Sequence, residues 1–148
     1  METTKSISIL LVEDNPGDIY LTREALKVSK ISNTLQVVRN GIECMEFLRQ
    51  QGRFAGAEMP DMIILDLNLP LKNGREVLEE VKHDNTLKTI PVIVLSSSQN
   101  EADIKTSYLL NANCYITKPV DYDEFIRIIR SIENFWFSIV RLPQGRLN

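Results

Sequence analysis

The 148-residue chain is the length of one domain, and at 43% hydrophobic and 25% charged residues it can bury a core of its own. A net charge of −3 argues against a nucleic-acid surface, which needs clustered basic residues. The longest apolar runs are far too short to span a bilayer, and no stretch of signal-peptide length precedes the first strand-like segment, so a cytoplasmic protein is expected.

Five short β-branched or leucine-rich runs alternate with segments whose apolar period is near 3.6. The first run, 7–12 (ISILLV), leads to a helical segment over 18–29, for which Asn15 offers an N-cap and Pro16 a first-turn proline. The second, 34–39 (TLQVVR), leads to a helix over 42–50 with Asn40-Gly41 before it. Residues 51–61 (QGRFAGAEMPD) are the longest loop candidate and read as a surface connection. The third run, 62–65 (MIIL), precedes a helix over 75–82; the fourth, 92–95 (VIVL), one over 101–110. The fifth, 113–117 (NCYIT), precedes a last helix from near Tyr122 to about residue 140. ILLV, MIIL and VIVL are apolar throughout, as strands covered on both faces must be. Strict alternation predicts a parallel α/β sheet with right-handed crossovers and helices on both faces. No repeat, low-complexity tract or linker suggests a second domain. Cys44 and Cys114 lie far apart, form no metal or redox spacing, and read as packed, reduced thiols.

Ligands of such sheets bind beyond the carboxyl ends of the strands. There the sequence places Glu13 and Asp14 after ILLV, Asp66 after MIIL, Ser96 after VIVL, and Lys118 after CYIT. Carboxylates brought together repel, so such a site raises a pKa or holds a hard cation. Asp14 and Asp66, with water and a backbone carbonyl, suit octahedral magnesium. A carboxylate can take up a phosphoryl group as an acyl phosphate, a transfer that needs charge neutralised and geometry held. Lys118 and Ser96 can each contact a phosphoryl oxygen.

This set resembles the receiver domain of two-component response regulators over nearly all of residues 5–135. The likeness rests on LLVEDNP at 10–16, MIILDLNLPLKNG at 62–74, PVIVLSSS at 91–98 and YITKP at 115–119, and the spacing of Asp14, Asp66, Ser96 and Lys118 agrees. The resemblance implies a flavodoxin-like, doubly wound five-stranded parallel sheet of strand order 2-1-3-4-5 with five helices. It also implies one receiver domain over 1–148, with a core over about 5–135 and a helix extension and tail over 136–148.

Residue by residue, the resemblance makes Asp66 the phosphoacceptor and Asp14 a direct Mg2+ ligand. Glu13 becomes a ligand through water, and the main-chain carbonyl of Asn68 completes the protein's share of the metal shell. Lys118 becomes the phosphate-contacting lysine, with a cis bond to Pro119. Ser96 and Tyr115 become the switch pair. Pro70 and Asn73-Gly74 match the loop after the acceptor, with Gly74 permitting a tight turn into the third helix.

A narrower likeness, to small single-domain regulators of the cyanobacterial phytochrome type, rests on VEDNPGDIYLTREAL at 12–26, LDLNLPLKNGREVLEEVK at 65–82, NCYITK at 113–118 and IENFWFSIV at 132–140. The proline after Lys118 departs from it. The implied partner is a sensor histidine kinase, with the phytochrome type suggested by this narrower likeness. The implied activity is phosphoacceptor signalling by protein contact, without an output domain, rather than enzymatic turnover.

Other residues read more plainly. Asp18 is a helix N-terminal charge or partner contact and stays outside the metal shell. Ser97 and Ser98 are loop hydroxyls, His83 is solvated, and Arg75 and Glu76 are surface. In the last helix Phe125, Ile128, Ile129, Ile132, Phe135 and Trp136 form a core stripe, with Ile126, Phe137, Ile139 and Val140 partly outside it. A second cover is therefore expected: a homodimer through the fourth helix, fifth strand and fifth helix. A membrane surface would need a Lys/Arg-rich polar face that this helix lacks.

Two rivals are weaker. A flavin carrier needs a hydroxyl- and amide-rich loop where Glu13-Asp14-Asn15 stands. An aspartyl phosphatase resembles its kind in having the nucleophile after the first strand and a second Asp two residues on; here Asn68 stands two residues after Asp66.

Overall fold

The computed structural model describes residues 6–29 and 32–136. In chain order the elements are β1 (Ile7–Val12), α1 (Pro16–Lys27), β2 (Asn33–Val38), α2 (Gly41–Leu48), a 3-10 turn over Gly52–Phe54, β3 (Met62–Leu65), α3 (Gly74–His83), β4 (Val92–Ser96), α4 (Glu101–Leu109), β5 (Cys114–Thr117) and α5 (Tyr122–Asn134). All strand pairs are parallel and the order is β2-β1-β3-β4-β5, the doubly wound arrangement expected. Among the described residues, no helix is long and apolar enough to cross a membrane.

The unbroken apolar runs have a direct cause. Side chains alternate across a strand, and both faces of this sheet are covered. Ile9, Leu11, Met62, Ile64, Ile93 and Leu95 pack on α1 and α5 with Ile19, Leu26, Phe125, Ile129 and Ile132. Leu10, Val12, Ile63, Leu65, Val92 and Val94 pack on α2 and α3 with Cys44, Phe47, Val77, Leu78 and Val81. Within that second layer Cys44 is fully buried, and burial pushes its thiol up to about 12, which leaves it protonated and inert.

Helix starts follow their caps. Asn15, Asn40 and Asn73 each accept a backbone N–H from the first turn, and Pro16 opens α1. In α3 the carboxylate of Glu76 also returns to the Asn73 N–H, closing a capping box.

Three expectations need correction. The 51–61 segment is more than a surface connection, because Phe54, Ala57 and Met59 pack against the α2–α3 layer and the Phe54 ring meets Phe47 at 5.3 Å. In α5, Phe135 is half exposed, while Ile126 packs against the core. The final turn widens over Phe135 and Trp136, which places the Trp136 ring inward and edge-on to Phe135. Phe137, Ile139 and Val140 lie outside the described residues. The Lys118–Pro119 bond is trans, the isomer that an X–Pro bond favours by about 0.5–1 kcal/mol when nothing else selects.

Candidate functional site

The carboxyl ends of β1, β3, β4 and β5 stand side by side because the strands are parallel and in register, Val12 beside Leu65, Leu65 beside Val94, and Ser96 beside Thr117. Within two residues of each strand's end, or at its last position, the chain delivers the expected groups. Glu13, Asp66 and Ser96 are buried and Asp14 is exposed. Lys118 leaves β5 with its backbone N–H donating to the Ser96 carbonyl at 2.7 Å. Its side chain, 10% exposed, crosses back over the site.

One oxygen each from Glu13, Asp14 and Asp66 lie within 4.8 Å of one another. The Lys118 ammonium donates to Glu13 Oε1 at 2.5 Å, to Asp18 Oδ2 at 2.8 Å and to Asp66 Oδ2 at 3.1 Å. Backbone amides complete the acceptor shell. Asp14 and Asn15 N–H both donate to Glu13 Oε2, and the Asn68 N–H donates to Asp66 Oδ1.

Burial raises the Glu13 carboxyl to about 7, against the pull of the Lys118 hydrogen bond and with the Asp66 charge adding to the rise. Burial would lower Lys118, but its hydrogen bonds to Asp18 and Glu13 and the charges of Asp66 and Glu13 outweigh it and hold the ammonium above the ordinary lysine range. A single ammonium cannot neutralise this many carboxylates. All-oxygen donors, two of them buried and one open to water, fit a hard divalent cation that keeps part of its hydration.

The loop after β3 is shaped by contact. Gly74 has no left-handed φ, contrary to the tight-turn expectation; the left-handed residue in that loop is Leu71, at φ +66°. Glycine is required at 74 for a close approach: a Cβ there would lie 2.4 Å from the Asp66 carbonyl oxygen and 2.6 Å from Leu67 Cα. The Gly74 N–H bonds the Leu67 carbonyl at 3.0 Å, so α3 is seated directly under the residue that ends in the Asp66 carboxylate.

Tyr115 stands apart from the carboxylates. Its hydroxyl donates to the Ser98 carbonyl at 2.8 Å and its N–H to the Tyr108 hydroxyl at 3.1 Å. The Ser96 hydroxyl oxygen accepts from the Ser98 N–H at 3.3 Å, a contact that uses a lone pair and leaves its proton for another acceptor.

Sequence reasoning missed two groups. Asp18 is a direct partner of Lys118, and its position one helical turn after Asp14 was the available signal. Ser98 and Arg75 are no bystanders either: the Ser98 hydroxyl donates to Asp103 Oδ2 at 2.6 Å, and Arg75 pairs with the other oxygen of Asp103, tying α3 to α4 beside the site. No sequence spacing pointed to that triad. His83 is exposed, as expected, with its ring near the Glu79 carbonyl.

Residues 9–130 match the response regulator receiver domain family. The chain is 47% identical over 135 residues to response regulator Rcp1 of Synechocystis sp., covering 91% of this chain and 92% of that protein. It superposes on the crystal structure of the phosphorylated cyanobacterial phytochrome response regulator RcpA with TM-score 0.92 and 52% identity, over 95% of this chain and all of that one. It superposes on the Mn2+-bound form of Rcp1 with TM-score 0.90 and 47% identity, over 93% of this chain and 99% of that one.

Proposed function

The chain belongs to the response-regulator receiver family, and from that premise we propose that Asp66 is its phosphoacceptor and a sensor histidine kinase its phosphodonor. The observation that carries this reading is the Lys118 ammonium, 3.1 Å from Asp66 Oδ2 at the meeting point of Glu13, Asp14 and Asp66. Asp14, Asp66 and the main-chain carbonyl of Asn68 hold Mg2+ directly, and Glu13 through water. The phosphorylated state of RcpA and the Mn2+-bound state of Rcp1 support both halves of the proposal.

An Asp66 oxygen attacks the phosphorus of the donor's phosphohistidine; the O–P bond forms as the N–P bond breaks, and the imidazole leaves with the electron pair. Bound Mg2+ supplies neutralisation of the charge on the acceptor and on the phosphoryl oxygens. Lys118 gives an N–H to one phosphoryl oxygen and Ser96 its free hydroxyl proton to another. Moving Ser96 toward the phosphoryl group vacates space that Tyr115 takes, breaking its bond to the Ser98 carbonyl. The α4–β5–α5 face is thereby remodelled. The receiver promotes only its own phosphorylation and dephosphorylation.

We read residues 1–148 as one receiver unit acting in the cytoplasm with a kinase of the phytochrome type, the class to which RcpA's own description points. The α4–β5–α5 side carries exposed Tyr108, Leu109, Val120 and Tyr122, which suits contact with a second copy of the chain.

Intact-mass measurement after incubation with acetyl phosphate and Mg2+ tests the chemistry. One phosphoryl adduct is expected on the wild type, abolished by chelator and absent from Asp66→Asn. A folded wild type that takes up neither phosphoryl nor beryllofluoride would sink the proposal.

A further inference from the structure

We propose that Asp18 is a positioning residue for the phosphoryl transfer, holding the Lys118 ammonium aimed at the acceptor; this rests on Asp66 being the phosphoacceptor. The cause lies in the first turn of α1. Asn15 is the N-cap and accepts the Asp18 N–H at 3.0 Å, which makes Asp18 the third residue of the helix. In α3 the acidic residue at the same position, Glu76, turns back to the N-cap N–H. In α1 that N–H is already taken, by Glu13 Oε2 at 3.2 Å. The Asp18 carboxylate is therefore not needed for the cap, and its Oδ2 reaches Lys118 Nζ at 2.8 Å instead.

An ammonium has three N–H donors, and Lys118 places them on Glu13, Asp18 and Asp66. Two of those acceptors have other tasks during transfer. Asp66 becomes an acyl phosphate and loses its carboxylate charge, and Glu13 would hold a water of bound Mg2+. Asp18 alone has no second claim. It is also the partner of Lys118 most open to water, with 24% of its side chain exposed. Without it, a four-carbon stem with much rotamer freedom would carry the phosphate contact with nothing to aim it. Asp18 adds a negative charge to the mouth as well, so its two effects separate. Loss of aim lowers the maximal rate, whereas loss of charge lowers the concentration of anionic donor needed for half-saturation.

The experiment compares wild type, Asp18→Asn and Asp18→Ala as full chains, with circular dichroism confirming the fold. Initial rates of adduct formation are read by intact mass against acetyl phosphate concentration at saturating Mg2+. A second readout, without Mg2+, is the side-chain ammonium signal of Lys118 in 15N-resolved NMR, assigned by its absence from Lys118→Met. The expected result is a maximal rate roughly tenfold lower in Asp18→Asn, the ratio that 1.4 kcal/mol produces, and lower still in Asp18→Ala. The Lys118 signal should broaden through faster exchange in both. Unchanged maximal rates would overturn the proposal. A lowered rate with the Lys118 signal intact would overturn it too, because the loss would then not pass through Lys118. A wild type without adduct would instead bring down the Asp66 reading, and this inference with it.

Discussion

Lys118 sits among carboxylates that would otherwise repel one another, so its removal acts on stability as well as on chemistry. Lys118→Met leaves Glu13 buried beside Asp66 without a counter-charge, and about 3 kcal/mol of stability should be lost without metal. Mg2+ should restore part of that loss by mass action, raising the thermal midpoint of the variant more than that of the wild type. No Mg2+ shift in either protein would mean that the cation does not enter this carboxylate group. Gly74 gives a second expectation at this scale. Because the missing side chain is what lets α3 meet the Asp66 carbonyl, Gly74→Ala must push β3 and α3 apart. A cost of about 1–3 kcal/mol in urea unfolding is expected, with slowed adduct formation. A variant as stable as wild type would show that the loop gives way easily.

The helices are anchored by different means. α3 buries Val77, Leu78 and Val81, whereas of α4 only Ser107 is buried. α4 is held instead by polar ties: Arg75 and Ser98 to Asp103, and the Tyr108 hydroxyl to the Tyr115 N–H. The Ser98 and Arg75 hydrogen bonds hold the Asp103 carboxyl below its ordinary range. An element tied mainly by polar contacts opens locally at low cost, which suits the change proposed for this face on phosphorylation. Arg75→Ala should therefore speed hydrogen exchange of α4 amides and leave those of α3 unchanged. Uniform acceleration would place the effect on global stability.

On the opposite layer, Glu133 of α5 is only 6% exposed. Burial raises its carboxyl, with the Ser29 hydrogen bond and the Arg130 charge pulling the other way. A folded-state value above the unfolded one contributes stability that is complete below the ordinary glutamate range and lost as pH rises through the folded value. Glu133→Gln should thus raise the thermal midpoint at pH 7, with the gain closing toward pH 4. A gain that persists at pH 4 would assign the effect to packing.

For the molecule as a whole, the exposed apolar side chains of the α4–β5–α5 side set the expectation of self-association. Sedimentation velocity with and without beryllofluoride should show a concentration-dependent dimer, and Val120→Glu with Leu109→Glu should shift it toward monomer. A concentration-independent monomer mass in both states would remove the dimer.

Much of this was open to reading in one dimension. Runs buried on both faces must be apolar at every position, so MIIL and VIVL announced central strands, and parallel alternation then required that Asp14, Asp66, Ser96 and Lys118 meet at one sheet edge. Helix starts were legible because an N-cap acts within one turn of chain. What the sequence could not determine depends on directions in space. Whether the third residue of α1 turns back to its cap or out to Lys118 hangs on where Glu13 spends its second oxygen. The Arg75–Asp103–Ser98 tie joins three elements with no periodic signal between them. The role of Gly74 appears only once β3 and α3 are packed, since the atom it must avoid belongs to the Asp66 backbone. Local patterning selects elements and their order because hydrogen bonding and burial repeat along the chain. Which donor meets which acceptor across elements is settled by packing, because only there do side chains distant in sequence compete for the same few ångströms.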